Sequence, residues 1–266
     1  MGTLVTITLY ADTPEQAQSG FLAAFRRIEK LNDIFSDYKP DSELSHLCDV
    51  GVAVSPELMR VLQYAQQLAA ETDGAFDITV GPLTRLWRAS RKDKRLPSPE
   101  KLAAALARSG YRNLQLDPLQ CMVPGMQLDA GAIAKGYAGD EAITALRAVG
   151  IRSALVAMSG DVVTGDAPPG RKGWRVRAQN EELTLVNAAV STSGDEYQFA
   201  EIDGIRYSHI LHPRTGKALQ NSPSVSVVAK TGMEADALAT AASVLGIERA
   251  KALRAFRPVR VFSAAE

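Results

Sequence analysis

Apolar positions three and four residues apart dominate the first part of the chain, and period-two alternation takes over in the second. Thr13-Pro14-Glu15-Gln16 opens a helix with a hydroxyl cap, proline at the first helical position and glutamine at the third. Phe21, Phe25, Ile28 and Phe35 follow at helical spacing, so Pro14 to about Ser36 reads as an amphipathic helix. Ser55-Pro56-Glu57 opens a second, with Leu58, Leu62, Ala65 and Leu68 on one face. Ser98-Pro99-Glu100 opens a third, which Gly110 closes. Between these two, Arg88 to Pro97 is rich in Lys and Arg and reads as a solvated loop, with a phosphate-facing loop as the alternative.

Strand-like segments precede and follow this helical region. Leu4 to Tyr10 leads it. After Gly110 come Leu114-Gln115-Leu116 and Met122-Val123 around Asp117-Pro118, then Ser153 to Met158, Trp174 to Ala178, and Leu183 to Val186. Tyr197 to Ile202 and Arg206 to Ile210 flank Asp203-Gly204, a two-residue hairpin signal. Ser224 to Ala229 and Val259 to Phe262 complete the strands. Two later helices run from Ala134 to Val149, ending at Gly150, and from Met233 to Leu245, stopping at Gly246. Helices first and strands afterwards predict an α+β fold: one domain over 1–266, helix-rich to about 110 and strand-rich from 111. No glycine-rich dinucleotide fingerprint follows the first strand, which argues against a Rossmann fold.

Bulk composition excludes some functions without choosing one. The 266 residues are 46% hydrophobic and 23% charged, enough for a sizeable core. With 30 basic and 30 acidic side chains, no long-range field draws nucleic acid or an anionic membrane. Cys48 and Cys121 are too few for a disulfide framework and read as two unpaired thiols, with a single bridge as the alternative. No apolar run reaches the ~18 residues of a membrane helix. No secretory leader precedes Met1-Gly2-Thr3, so the chain is either cytoplasmic or preceded naturally by a further segment.

Four polar, glycine-containing segments stand out. Thr72 to Leu83 holds Asp73, Asp77, Gly74, Gly81 and Phe76 at a helix exit; a cap and turn with Phe76 in the core is the plain reading. Leu128 to Tyr137 runs from a strand end into a helix. Its small residues admit close backbone approach, the helix start offers N–H groups to an anion, and Lys135 adds a charge. Asp129 alone is as good a helix cap as a ligand group. Ser208 to Gly216 contains two of the three histidines, His209 and His212, the third being His46. In Met233 to Thr240, Asp236 and Thr240 share one helix face. A carboxylate and a hydroxyl suit Mg²⁺, with a buried Asp–Thr hydrogen bond as the alternative.

These segments, in this order, resemble the ApbE family, the FAD:protein FMN transferases. Met1-Gly2-Thr3, Gly74-Ala75-Phe76-Asp77, Asp129 to Gly136, Ser191-Thr192-Ser193-Gly194-Asp195, His209-Ile210, Pro213-Arg214-Thr215-Gly216 and Asp236-Ala237-Leu238-Ala239-Thr240 carry the likeness, which covers essentially the whole chain. It implies a T-fold-like α+β structure, FAD as substrate and Mg²⁺ as cofactor. Met1, Ala75, Phe76, Asp77, Asp129, Lys135 and Ile210 would contact FAD. Asp236 and Thr240 would hold the metal by side chain, and Ala132 by its backbone carbonyl. The acceptor would be a Thr or Ser of a target flavoprotein, commonly a membrane redox subunit. The family is usually exported, often as a lipoprotein, which implies the periplasm. One departure is His212, where the family usually has an acidic residue; it bears on whether a second metal binds.

On this reading the FMN half of FAD passes to a hydroxyl and AMP leaves. His209 is the expected proton acceptor, with an unperturbed pKa of ~6.5 near working pH. Asp195 is the second candidate. The alternatives are an FAD pyrophosphatase with water as acceptor and a non-catalytic FAD-binding protein. All three need the same pocket.

Overall fold

The computed structural model describes residues 3–49, 53–194, 199–220 and 223–263. Met1 and Asp195, two of the expected site residues, lie outside them. Among the described residues the order is β1 (Val5–Leu9), α1 (Pro14–Phe35), α2 (Pro56–Glu71), α3 (Gly81–Asp93), α4 (Pro99–Leu106), β2 (Leu114–Leu116), β3 (Leu119–Cys121), α5 (Ala134–Ala148), β4 (Ala154–Met158), β5 (Asp161–Thr164), β6 (Trp174–Ala178) and β7 (Glu181–Leu185). Then follow β8 (Ala189–Ser193), β9 (Phe199–Ile202), β10 (Ile205–Leu211), β11 (Ala218–Gln220), β12 (Val225–Ala229), α6 (Gly232–Leu245), α7 (Ile247–Ala252) and β13 (Arg260–Ser263). The fold is α+β, as the order of patterns predicts.

A six-stranded antiparallel sheet in the order β1-β4-β5-β8-β12-β13 is the frame. The N-terminal strand β1 pairs with β4, so the start of the chain completes a sheet built by its second half. Helices α1, α5 and α6 cover one face. There Ile28, Leu31, Ile143, Leu146, Val156, Met158 and Leu238 form part of the main core. The β6–β7 hairpin covers the other face, with Trp174, Val176, Leu183 and Leu185 against Val190 and Phe262. A smaller sheet, β11-β10-β9, packs on α3 through Trp87, Tyr207 and Leu83.

Local chemistry explains most boundaries. The Thr13, Ser55 and Ser98 side chains cap α1, α2 and α4, each accepting a backbone N–H three residues on. Asp203 and Gly204 take positive φ, as the β9–β10 hairpin requires.

Four expectations need correction. First, α1 buries Gly20, Ala24, Ile28, Leu31, Ile34 and Phe35, while Phe21 and Phe25 are exposed. Gly20 lies on the buried face, where a Cβ would press on the end of the Ile151 side chain. Second, the basic stretch from Arg88 is not all loop: it continues helix α3 to Asp93. Its buried stripe of Leu83, Trp87 and Ser90 is masked in the sequence by the surrounding Arg and Lys. Third, β3 starts at Leu119, because Leu116 pairs with Leu119 across a two-residue turn. Fourth, Cys48 and Cys121 form a disulfide. The turn after Leu44–His46 and strand β3 bring their Cα atoms to 5.4 Å, within bonding range.

Candidate active site

The second polar segment meets the fourth at the seam between α5 and α6. A Cβ at Gly136 would lie 2.0 Å from the Gly232 carbonyl oxygen, and one at Gly232 would lie 2.4 Å from that of Gly136. Both positions therefore require glycine, and the two helix starts are locked together. Asp140 of α5 tightens the lock by accepting the Gly232 and Met233 N–H groups at 2.7 and 3.0 Å. Burial pushes the Asp140 carboxyl up to about 6, against the pull of those two donors.

This close crossing sets Asp236 against α5. Asp236 is 4% exposed, and its Oδ2 accepts the Gly136 N–H at 3.1 Å. Lys135 Nζ donates to Asp236 Oδ1 and Oδ2 at 3.3 and 3.2 Å and to the Gly131 carbonyl at 2.8 Å. The same ammonium lies 3.2 Å from Asp161 Oδ2. Asp161, also 4% exposed, has its Oδ1 bonded by the Ser191 hydroxyl. Among the described residues its Oδ2 has that ammonium as an ion-pair neighbour but no well-aligned hydrogen bond. Burial, then the neighbouring Asp236, push the Asp161 carboxyl up to about 7 despite Lys135. The Lys135 ammonium is held charged, its burial outweighed by the two carboxylates.

Thr240 follows one turn after Asp236, and its hydroxyl lies 3.3 Å from that of Ser193. The Ser191-Thr192-Ser193 strand thus touches Asp161 at one end and Thr240 at the other. Ala132 sits in the turn before α5. Among the described residues its carbonyl accepts no backbone bond, because the Gly136 N–H goes to Asp236. Asp129 is not a helix cap. Ile133 occupies the cap of α5, and Asp129 Oδ1 closes the turn by accepting the Gly131 N–H at 2.8 Å. Asp129 Oδ2 faces Arg88 at 3.6 Å.

The first segment is differently arranged. Phe76 is 2% exposed and belongs to the main core, with Ala75 buried beside it. Asp77 accepts from the Thr79 N–H (2.8 Å), the Thr79 hydroxyl (2.7 Å) and the Tyr111 N–H (2.8 Å). Asp73 pairs with Arg214 at 3.0 Å, which joins this segment to the Pro213-Arg214-Thr215-Gly216 turn. Trp87 Nε1 donates to the Gly216 carbonyl at 2.7 Å and anchors the same turn on α3. His209 and Ile210 lie on β10, which packs against α6; Ile210 is buried and His209 half-buried. His212 Nδ1 accepts the Arg214 N–H at 3.3 Å, and burial followed by Arg214 lowers its pKa.

Asp161 and Arg88 are the residues that sequence reading missed. Asp161 follows Ser159-Gly160, which take positive φ in the two-residue turn between β4 and β5. That dipeptide is a hairpin signal, and a carboxylate directly after it on an apolar strand could have drawn notice. Arg88 bridges Asp37 and Asp129 and stacks 4.2 Å from the Tyr38 ring centroid. The Thr3 hydroxyl bonds that of Ser159, which ties the N-terminal segment to the same turn.

An antiparallel α+β frame with a buried Asp161–Lys135–Asp236 seam at the start of α5 is not the parallel, doubly wound sheet of a dinucleotide dehydrogenase. The chain belongs to the ApbE family, whose pattern it matches over residues 1–262. It is 35% identical over 278 residues to the FAD:protein FMN transferase of Vibrio cholerae serotype O1, covering 95% of this chain and 81% of that protein. To the Salmonella typhimurium FAD:protein FMN transferase it is 30% identical, with coverages of 94% and 78%. The solved flavin transferase ApbE of Vibrio cholerae superposes with a TM-score of 0.86 at 31% identity, over 99% of this chain and 90% of that one. The ApbE protein of Thermotoga maritima superposes with a TM-score of 0.87 at 29% identity, over 98% and 91%.

Proposed function

We propose that this chain carries out a magnesium-dependent transfer of FMN from FAD to a Thr or Ser hydroxyl of a target flavoprotein, releasing AMP. That it is a transferase, with FAD as donor and a protein as acceptor, follows from its kinship with the FAD:protein FMN transferases. The finer reading is carried by one observation: the buried Asp236 carboxylate faces the start of α5, with Lys135 and Asp161 beside it and Thr240 one turn away.

The donor set fits magnesium. The donors Asp236, Thr240 and Ala132 include no His or Cys, which disfavours zinc. Asp236, Thr240 and the Ala132 carbonyl are hard oxygen donors. Few protein ligands suit an ion that keeps waters and substrate phosphates in its shell. When bound, magnesium would offset the charge that develops on the pyrophosphate as AMP leaves.

The chain's own residues supply the rest. The Lys135 ammonium, held at the start of α5, supplies positive charge toward the pyrophosphate. The acceptor oxygen bonds to the FMN phosphorus as the bridging P–O bond to AMP breaks. His209 takes the proton that the acceptor hydroxyl gives up; Asp195 is the second candidate. Ala75, Phe76, Asp77, Asp129 and Ile210 shape the flavin side. With the Phe76 side chain in the core and Asp77 fully bonded within the fold, their contribution is through backbone and shape. The proposed setting is the periplasm, with a lipid anchor in the full-length form and a membrane redox subunit as acceptor. The Cys48–Cys121 bridge supports an oxidising compartment.

The test is to incubate the protein with FAD, Mg²⁺ and a threonine-bearing acceptor peptide, and weigh the peptide. An FMN adduct is expected. Free FMN and AMP without an adduct would mark a pyrophosphatase instead, and unchanged FAD a binding protein.

A further inference from the structure

We propose that Lys135 is a displaceable internal cation. Its ammonium stands between Asp161 and Asp236 where a divalent ion would otherwise balance Asp236, and Asp161 is the residue that keeps the ammonium when Asp236 turns to the ion. The inference rests on the magnesium reading and deepens it by naming a positioning residue, Asp161, that acts through Lys135.

Three features carry it. First, the frame cannot yield. Gly136 and Gly232 are in backbone contact, and Asp140 clamps the start of α6, so adjustment falls to side chains. Lys135 has the long flexible stem for this; the carboxylates do not.

Second, the two carboxylates are held unequally. Asp236 Oδ2 is fixed by the Gly136 N–H, while Oδ1 has Lys135 as its donor among the described residues. Oδ1 is thus the atom a metal would claim, and Lys135 is what occupies it. Asp161 is anchored by the Ser191 hydroxyl through Oδ1 and presents a buried Oδ2 that lacks a well-aligned donor. A small swing of the ammonium, already 3.2 Å away, would satisfy that oxygen.

Third, two buried carboxylates crowd one ammonium, and their mutual repulsion is what a further cation on Asp236 would relieve. A divalent ion on Asp236 would repel an ammonium left beside it, and Asp161 offers that ammonium a place to stay inside the site.

The test is a thermodynamic cycle on the full chain without FAD, with Mn²⁺ as the probe ion and calorimetry as the readout. The proteins are wild type, Lys135→Met, Asp161→Asn and the double variant, with thermal unfolding to verify that each is folded. Lys135→Met is expected to bind Mn²⁺ about tenfold tighter than wild type, since the competing charge is gone. Asp161→Asn is expected to bind about tenfold weaker, since Lys135 is left with Asp236 alone. In the Lys135→Met background, Asp161→Asn should change affinity less than about threefold. Equal weakening in both backgrounds would make Asp161 a direct ligand and overturn the proposal. So would a Lys135→Met protein that binds no tighter than wild type. If no protein of the four takes up Mn²⁺ in the absence or the presence of FAD, the magnesium reading itself fails, and this inference with it. Should Lys135→Met not fold, Lys135→Gln replaces it in both arms with the same expectations.

Discussion

Asp77 and Asp236 are both aspartates beside a conformationally special glycine segment, the first half-buried and the second buried, yet they are held in opposite ways. Asp77 spends its oxygens on the Thr79 N–H, the Thr79 hydroxyl and the Tyr111 N–H, all part of the fold. Asp236 spends one oxygen on the Gly136 N–H and shares the rest with a flexible ammonium. Backbone donors do not move, so the first carboxylate is architecture. On the proposed reading a lysine can leave, which would open the second to a ligand. Burial of a carboxylate does not mark a site; the mobility of what compensates its charge does.

The largest expected effect falls on the Asp236 side. Asp236→Ala should lower FMN transfer at least ~100-fold while the protein stays folded; the yield of modified acceptor peptide and the melting temperature check the two halves. A fully active Asp236→Ala would erase the contrast. His209→Ala should retain FAD binding, by fluorescence titration, and lose transfer by about 100-fold. Loss of FAD binding instead would make His209 structural.

The Asp77 side should show in stability. Asp77→Ala leaves buried donors unsatisfied and should cost about 3 kcal/mol in urea unfolding. A stable protein with impaired FAD binding would place Asp77 with the ligand groups after all.

Asp140 gives a pH test between these extremes. Its folded pKa, pushed up to about 6 by burial, lies above the ordinary 3.8. The folded protein therefore binds more protons than the unfolded chain between these values, and this contribution falls as pH rises from about 4 to about 6. The stability difference between wild type and Asp140→Asn should shift across that window by roughly 2 kcal/mol. A pH-independent difference would show an unshifted Asp140. The smallest effect belongs to the exposed Arg214–Asp73 pair. Asp73→Ala should change stability by less than ~1 kcal/mol.

Much of this was legible in sequence where the signal is local. Hydroxyl caps followed by proline marked α1, α2 and α4, and Asp203-Gly204 marked its hairpin. The placement of Asp236 and Thr240 on one helix face came from spacing alone. What stayed hidden depends on contacts between distant segments. Asp161 joins Lys135 and Asp236 only because β5 lies beside β8 under α5 and α6. The Cys48–Cys121 bridge spans a separation of 73 residues, and no local pattern encodes it. The buried face of α1 depends likewise on distant partners, with Gly20 against Ile151 among them. α3 was hidden for another reason: its basic exterior outweighed a narrow apolar stripe.

The most direct test of the account strips the protein of divalent ions with a chelator and adds Mg²⁺ back in the presence of FAD and the acceptor peptide. AMP and FMN-peptide are quantified together. The account predicts no product before addition, then a saturating rise of both in equal amounts that Asp236→Ala does not show. Equal yields with and without Mg²⁺ would contradict it.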